Sequence, residues 1–308
     1  MNGSHNLNTP RRAVLRAIIT VGFQRAPYPW RFGWRPLLHR FGIALSAFSF
    51  LEGGKHGLYV SPDYQNLDMS EKGATTYWYG MAFAKLIAQS KLGIVWLAHV
   101  DGLRASGALT TTSGSSKRGD LAGRGLNNDW HVIEAKGRSN SYDQSLISEA
   151  KNQAAAVTQI KGVAPLTSSA CITSLHANPI SVLLDDPPPD DEAGPVSWEI
   201  EDNAFFDHYY RGVIDCLREF GTSRSRTQDG TEFVASPLLP FYWENFGPPI
   251  RPYYREWRLE LGLLRRIYEN PSSAVEAVRD LSTTKDKKVG SDGIALFGDM
   301  PEWEGAEG

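Results

Sequence analysis

The chain has 308 residues, 41% of them hydrophobic and 22% charged, which is enough apolar material for a full core and excludes a disordered chain. Its two cysteines, Cys171 and Cys216, exclude a disulfide framework and a four-cysteine zinc site, and they suit a reducing cytosol. The formal net charge of -3 excludes a uniformly basic nucleic-acid binder, and at roughly 150 residues per domain the length allows one elaborated domain or two small ones.

Charge is unevenly placed along the chain. No Asp or Glu occurs in residues 1–51, where Arg11, Arg12, Arg16, Arg25, Arg31, Arg35 and Arg40 give seven positive charges, so the remainder carries -10. Tyr28, Trp30, Phe32 and Trp34 interleave with these arginines, a mixture suited to phosphate pairing and base stacking; the plain alternative is solvent-facing charge. An Arg-rich, acid-poor start is also what a mitochondrial leader shows, but Pro27, Pro29 and Pro36 would interrupt its helix. No apolar run approaches the ~20 residues that span a bilayer. A cytoplasmic protein with no membrane contact is therefore expected. Acid collects elsewhere: residues 185–192 read DDPPPDDE, and Asp292, Asp299, Glu302, Glu304 and Glu307 follow Val289 without a basic residue.

In chain order, Asp68-Met-Ser-Glu71 has the form of a helix start, with Asp68 as cap and Glu71 reaching back. The helix is predicted to run to about Ser90, with Tyr77, Met81, Ala84 and Ala88 on one face, before Gly93 breaks it. Residues 94–100 (IVWLAHV) read as a buried strand, and residues 107–119 as a loop rich in Gly, Ser and Thr. Residues 120–123 and 130–136 read as two strands joined by the turn chemistry of residues 125–129 (GLNND). A helix over 141–160, strands over 170–175 and 180–184, and a helix over 203–220 complete an α/β pattern. Residues 237–252 are dense in Pro and aromatics, and residues 255–268 read as a helix carrying Arg255, Arg258, Arg265 and Arg266.

The chemistry-bearing pattern is Glu-x-Lys in one particular setting. Glu134-Ala-Lys136 shares the tripeptide form with Glu149-Ala-Lys151 and Asp286-Lys-Lys288, but only the first lies in a strand-like run. Strand periodicity puts Glu134 and Lys136 on one face, with Ile133 and Ala135 on the other. A turn centred on Asn127 sets Asp120 opposite Glu134, with β-carbons about 5 Å apart. Two carboxylates at that spacing can share one divalent cation, and oxygen ligands suit Mg2+ or Mn2+ better than zinc. Lys136 is then placed to orient or deprotonate water and to stabilise charge on a phosphate. The bland alternative is a cross-strand salt bridge on an exposed sheet face.

Asp120-Leu-Ala-Gly, a turn, and Val132-Ile-Glu134-Ala-Lys136-Gly, followed by a helix and a strand, resemble the PD-(D/E)XK nuclease superfamily over about the middle third of the chain. The resemblance implies a restriction-endonuclease-like core, a mixed central sheet flanked by helices in α-β-β-β-α-β order across residues 70–176. It implies that Asp120, Glu134 and the main-chain carbonyl of Ala135 bind the catalytic metal and that Lys136 acts on the attacking water. It further suggests Glu71 from the first helix, and Lys151 or Gln153 from the helix after the motif, as accessory residues; a capping role for Glu71 and a solvated position for Lys151 are the alternatives. Gly119 stands where the motif has its proline.

The resulting expectation is a Mg2+-dependent (or Mn2+-dependent) endonuclease acting on DNA, of the kind that serves restriction or antiphage defence. Residues 1–69 form a basic, aromatic-rich extension, 70–220 the core, 221–284 a second extension with an Arg-rich helix, and 285–308 a flexible acidic tail. Arg31, Arg35, Arg255 and Arg258 are the candidate nucleic-acid contacts. A homo-oligomer and a regulatory partner protein are both compatible with such an enzyme. The rival is a non-catalytic nucleic-acid-binding or scaffold module that keeps the fold. His99 and His131 read as core or sheet-edge residues, and His176 as a more distant candidate for the site.

Overall fold

A computed structural model of the chain describes residues 2–21, 35–111, 118–186, 196–219, 224–238, 259–283, 288–298, 300 and 303. Its first elements are β1 (Gly3–Asn6), α1 (Arg11–Thr20), α2 (Arg35–Phe50), the hairpin β2 (Leu51–Gly54) and β3 (Gly57–Val60), and α3 (Pro62–Gln65). The middle comprises α4 (Met69–Ile87), β4 (Ile94–His99), α5 (Val100–Ala105), β5 (Leu109–Thr111), β6 (Leu121–Gly125), β7 (Trp130–Arg138), α6 (Gln144–Ala155), β8 (Val157–Ile160), β9 (Thr167–Ser174), β10 (Ser181–Asp185), β11 (Val196–Ile200) and α7 (Asp202–Glu219). Then come β12 (Arg224–Gln228), β13 (Thr231–Pro237), β14 (Glu260–Leu264), α8 (Arg265–Glu269), α9 (Ala274–Arg279) and β15 (Ile294–Phe297). The fold is mixed α/β. Among the described residues no helix is long and apolar enough to cross a membrane.

A six-stranded sheet in the order β1-β10-β9-β7-β6-β4 forms the centre. Only β7 and β9 run parallel; the other neighbours are antiparallel. The β6–β7 register pairs Leu121 with Ile133 and Ala122 with Val132, so the hairpin pivots on Asn127, with Asn128 in the left-handed conformation at φ 66, which Asn tolerates better than most residues. Two smaller sheets, β5-β11-β8 and β12-β13-β14-β15, flank this centre.

The two helices that bracket the site begin with side-chain caps. Asp68 accepts from the N–H groups of Ser70 and Glu71, and Glu71 accepts from that of Asp68. This reciprocal box starts α4. The same helix ends through a π turn at Gly93, whose φ of 67 suits glycine. Helix α6 starts at Asp143, which accepts from Leu146 N–H. The helices take opposite faces of the sheet. Ala150 of α6 packs on Ala170 and Ile172 of β9. On the other face α4 comes so close that a β-carbon on Gly137 would lie 2.1 Å from the Thr76 carbonyl oxygen, and one on Gly80 would lie 2.8 Å from Gly137 N. Neither position has room for a side chain.

A buried polar cluster ties the ends of the chain to this centre. Lys85 of α4, 2% exposed, donates to Thr20 Oγ1 of α1, to the Tyr209 hydroxyl of α7, and to Asp292 Oδ2 at 3.0 Å. Tyr209 also donates to Asp292 Oδ2 at 2.6 Å, and Ile294 N–H donates to Asp292 Oδ1 at 3.2 Å. Tyr210 donates to the Asp292 carbonyl at 2.6 Å and accepts from Trp96 Nε1 at 2.6 Å. Every charged atom of the ion pair thus has a partner, as a buried pair requires.

Several sequence expectations are corrected. The arginines of α1 fasten the molecule internally: Arg12 donates to the Leu296 and Gly298 carbonyls, Arg16 donates to that of Lys288, and Arg11 stacks between Phe48 and Trp303. Arg40 is buried against the Trp78 ring. Residues 294–297 are a fully buried strand paired with β14, not part of a flexible acidic tail; IALF inside the acidic stretch supplies the burial. Residues 260–264 form a strand rather than helix, because ELGLL is buried at every position. The helix expected to reach residue 160 stops at Ala155, and Val157–Ile160 joins the second sheet. Residues 109–111, expected as loop, form β5 against β11.

Removing one partner of the central ion pair leaves a charge buried and unpaired, which costs about 3–5 kcal/mol. Asp292→Ala is expected to lower unfolding stability by that amount in urea titration. Glu276→Ala, which breaks the exposed pair with Arg266, is expected to change it by less than about 1 kcal/mol.

Candidate active site

Strand β7 outruns its partner. The ladder with β6 ends at Leu121 opposite Ile133, while β7 continues to Arg138. From Glu134 onward the β6 side of the strand has no neighbouring strand among the described residues, and Asp120 takes that place. Its side-chain Oδ2 accepts from Ala135 N–H at 3.2 Å, and its own carbonyl accepts from Val100 N–H at 2.9 Å. Since a strand residue presents N–H and C=O on the same edge, the Ala135 carbonyl belongs to this edge too. Continuing the register one step sets Asp120 opposite Glu134.

Parallel pairing with β9 fixes the faces. Glu134 lies beside Ala170 and Lys136 beside Ile172, the two residues covered by Ala150 of α6. One turn further along that helix, Gln153 Oε1 accepts from Lys136 Nζ at 2.9 Å, and Gln153 Nε2 donates to Glu149 at 3.2 Å. Lys136 also contacts Glu134 Oε1 as an ion pair. The ammonium is therefore held by two partners from two elements.

Glu134 is the unusual group. Its side chain is 2% exposed, and its Oε2 is buried without a hydrogen-bond partner among the described residues. Burial first, and the neighbouring Asp120 charge second, push its pKa up to about 8, against the opposing pull of Lys136. Such a displacement in a cleft is a mark of a functional carboxylate. The cleft encloses about 310 Å³ and is lined by His99, Val100, Asp101, Arg118, Gly119, Asp120, Glu134, Lys136 and Gln153.

The composition of the cleft sorts the sequence candidates. Asp120, Glu134, Lys136 and Gln153 converge there. Lys151 does not: it pairs with Asp185 at 3.1 Å. Glu71 serves as the capping residue of α4, and His176 is exposed and absent from the lining. Arg35 begins α2, but its side chain, like Arg31, Arg255 and Arg258, lies outside the described residues. Three polar lining residues were not assigned to the site by sequence. Asp101 and Arg118 form an ion pair at the margin. His99, read as a core or edge histidine, is buried and accepts from Asp101 N–H through Nδ1 at 3.1 Å. Its pKa is lowered by burial, with the charges of Asp120 and Asp101 opposing. The sequence signal for these three was weak, since a strand end, a short helix and a loop end carry no common spacing.

The donors present fit a hard divalent cation. Glu134 offers an unpartnered buried oxygen, Asp120 stands across from it, and the Ala135 carbonyl shares their edge. Among the described residues no three His, Cys, Asp or Glu side chains form a ready cage. Two carboxylates with a carbonyl leave positions for water and substrate oxygen, the usual arrangement for Mg2+.

The Glu134 shift has a definite stability consequence. A carboxyl whose pKa is raised on folding, from 4.5 to about 8, lets the folded state bind the extra proton, so stability falls as pH rises through that window. With a chelator present, Glu134→Gln is expected to raise the melting temperature by several degrees at pH 9 and to leave it nearly unchanged at pH 4. Mg2+ or Mn2+ is expected to raise the wild-type value at pH 9 more than that of the variant. No protein-family model, curated protein or solved structure matches the chain, so the case for this cleft stands on its residues and their geometry.

Proposed function

We propose that the chain is a metal-dependent nuclease of PD-(D/E)XK type that hydrolyses phosphodiester bonds in DNA. The observation that carries this reading is the buried, half-satisfied carboxylate of Glu134 facing Asp120, with Lys136 on the same strand face. The order α4, β4, β6, β7, α6, β9 supports it, since it follows the helix–strand–strand–strand–helix–strand succession of that superfamily, with α5, β5 and β8 interposed. The cross-strand salt bridge offered as the bland alternative needs an exposed sheet face, and Glu134 is 2% exposed.

Asp120, Glu134 and the Ala135 carbonyl would hold the cation. When bound, it supplies Lewis-acid stabilisation of charge on the phosphate and eases deprotonation of the attacking water. Asp120 is fixed for this by two main-chain hydrogen bonds, one through its carboxylate and one through its carbonyl. Lys136 orients the water and offsets charge developing on the phosphoryl oxygens. Gln153 steadies the Lys136 ammonium, so that its direction is set before substrate arrives. Restriction or antiphage defence is a biological setting compatible with such chemistry.

The test is cleavage of plasmid and linear DNA by purified protein with Mg2+ or Mn2+, beside Lys136→Ala and Asp120→Asn. Loss of about 10²-fold or more in rate is expected for Lys136→Ala, with chelator abolishing wild-type cutting. Equal survival of DNA with wild type and both variants, across metals and across double- and single-stranded substrates, would overturn the enzyme reading and favour a binding or scaffold module.

A further inference from the structure

We propose that His99 is a substrate-contacting residue of this cleft, its Nε2–H donating to a non-bridging oxygen of the scissile phosphate. The proposal rests on the nuclease reading and adds a residue to it.

The argument starts from the main chain. A backbone N–H can only donate, so the bond from Asp101 N–H to His99 Nδ1 at 3.1 Å makes Nδ1 an acceptor. The ring's proton is therefore on Nε2. That N–H has no hydrogen-bond partner among the described residues, although the ring is buried at 5% exposure and forms a wall of the cleft. Every other side-chain donor lining the cleft has a protein partner: Arg118 has Asp101, Lys136 has Glu134 and Gln153, and Gln153 has Glu149. His99 presents the donor without one.

The surrounding charge explains why a neutral donor belongs there. Asp120 and Glu134 make the cation-binding side, and a further positive side chain against Asp120 would compete with the metal for it. A neutral N–H contributes a hydrogen bond to an anionic oxygen without that competition. Position also follows from the fold. His99 ends β4 and Asp120 immediately precedes the neighbouring β6, and both line the cleft, where the Asp120 charge acts on the His99 ring. A capping role alone does not account for the residue, because Asn or Asp caps a helix as well without placing a second nitrogen in the cleft.

His99→Asn separates the two roles. Its side-chain oxygen can keep the bond from Asp101 N–H, while the Nε2–H is lost. DNA carrying a single phosphorothioate of each configuration at the cleaved bond, assayed in Mn2+, reports on the contact, because sulfur accepts hydrogen bonds poorly. With unmodified DNA the variant is expected to cut about 10²-fold more slowly than wild type, with an unchanged unfolding midpoint and unchanged Mn2+ affinity. One phosphorothioate isomer is expected to slow wild type, and that penalty is expected to vanish in the variant.

A slow variant that keeps the wild-type phosphorothioate penalty would assign His99 to structure and overturn the proposal. Full activity in the variant would overturn it as well, and both results leave the nuclease reading standing. A wild type that cuts nothing would remove the reading and the proposal together. If His99→Asn fails to fold, His99→Gln carries the same comparison, with partial rate recovery through its amide N–H as the expected result.

Discussion

Two paired strands of unequal reach set up everything at the candidate site. A central strand normally spends its N–H and C=O groups on both neighbours. Where β6 stops and β7 goes on, one edge of β7 loses its neighbour inside the protein, and a carboxylate steps into the gap to accept the N–H of Ala135. The same shortfall opens the cleft beside Glu134. Site and vacancy in the ladder are one feature. Because β7 is also paired to β9 from His131 to Arg138, the open edge sits on a backbone held from its other side, which is what positioning of reacting groups requires.

Much of this was legible in the chain. The alternation of Trp130 to Lys136, with Gly and Asn between the two runs, located the turn centre at Asn127 and with it the Asp120–Glu134 opposition. Asp68 and Glu71 announced their capping box, and of the two positions the resemblance suggested on α6, Gln153 is the one that reaches Lys136. What escaped was set by long-range packing. His99 reads as one more residue of a hydrophobic strand; only the fold shows that the strand ends there and that its ring lines the same cleft as Asp120. Short strands such as β5, β8 and β14 carry too few residues for their periodicity to outweigh a loop or helix reading, and each is a strand because of the partner it finds.

The basic head illustrates a different limit. Its positive charge suggested an external partner, yet Arg11, Arg12 and Arg16 work on the C-terminal segment, satisfying carbonyls and stacking on aromatics. Asp292, placed by the sequence in a flexible acidic tail, is the buried partner of Lys85. Charge distribution along a sequence does not distinguish ions facing solvent from ions serving as internal fasteners. Here the head arginines Arg12 and Arg16 donate to main-chain carbonyls of the C-terminal segment, and the acid of that segment pairs with a lysine of α4.

The close seating of α4 on β7 has a mechanical meaning. At Gly80 and Gly137 main chain lies against main chain with no side chains between to deform. A helix resting on long side chains can rock while they change rotamer; one resting on backbone cannot. Gly137 adjoins Lys136, so any tilt of α4 passes into the peptide that aims the lysine. The helix is pinned to the strand one residue from a lysine that lines the cleft, so the direction of that lysine's backbone is set by a contact that has no side chain to yield.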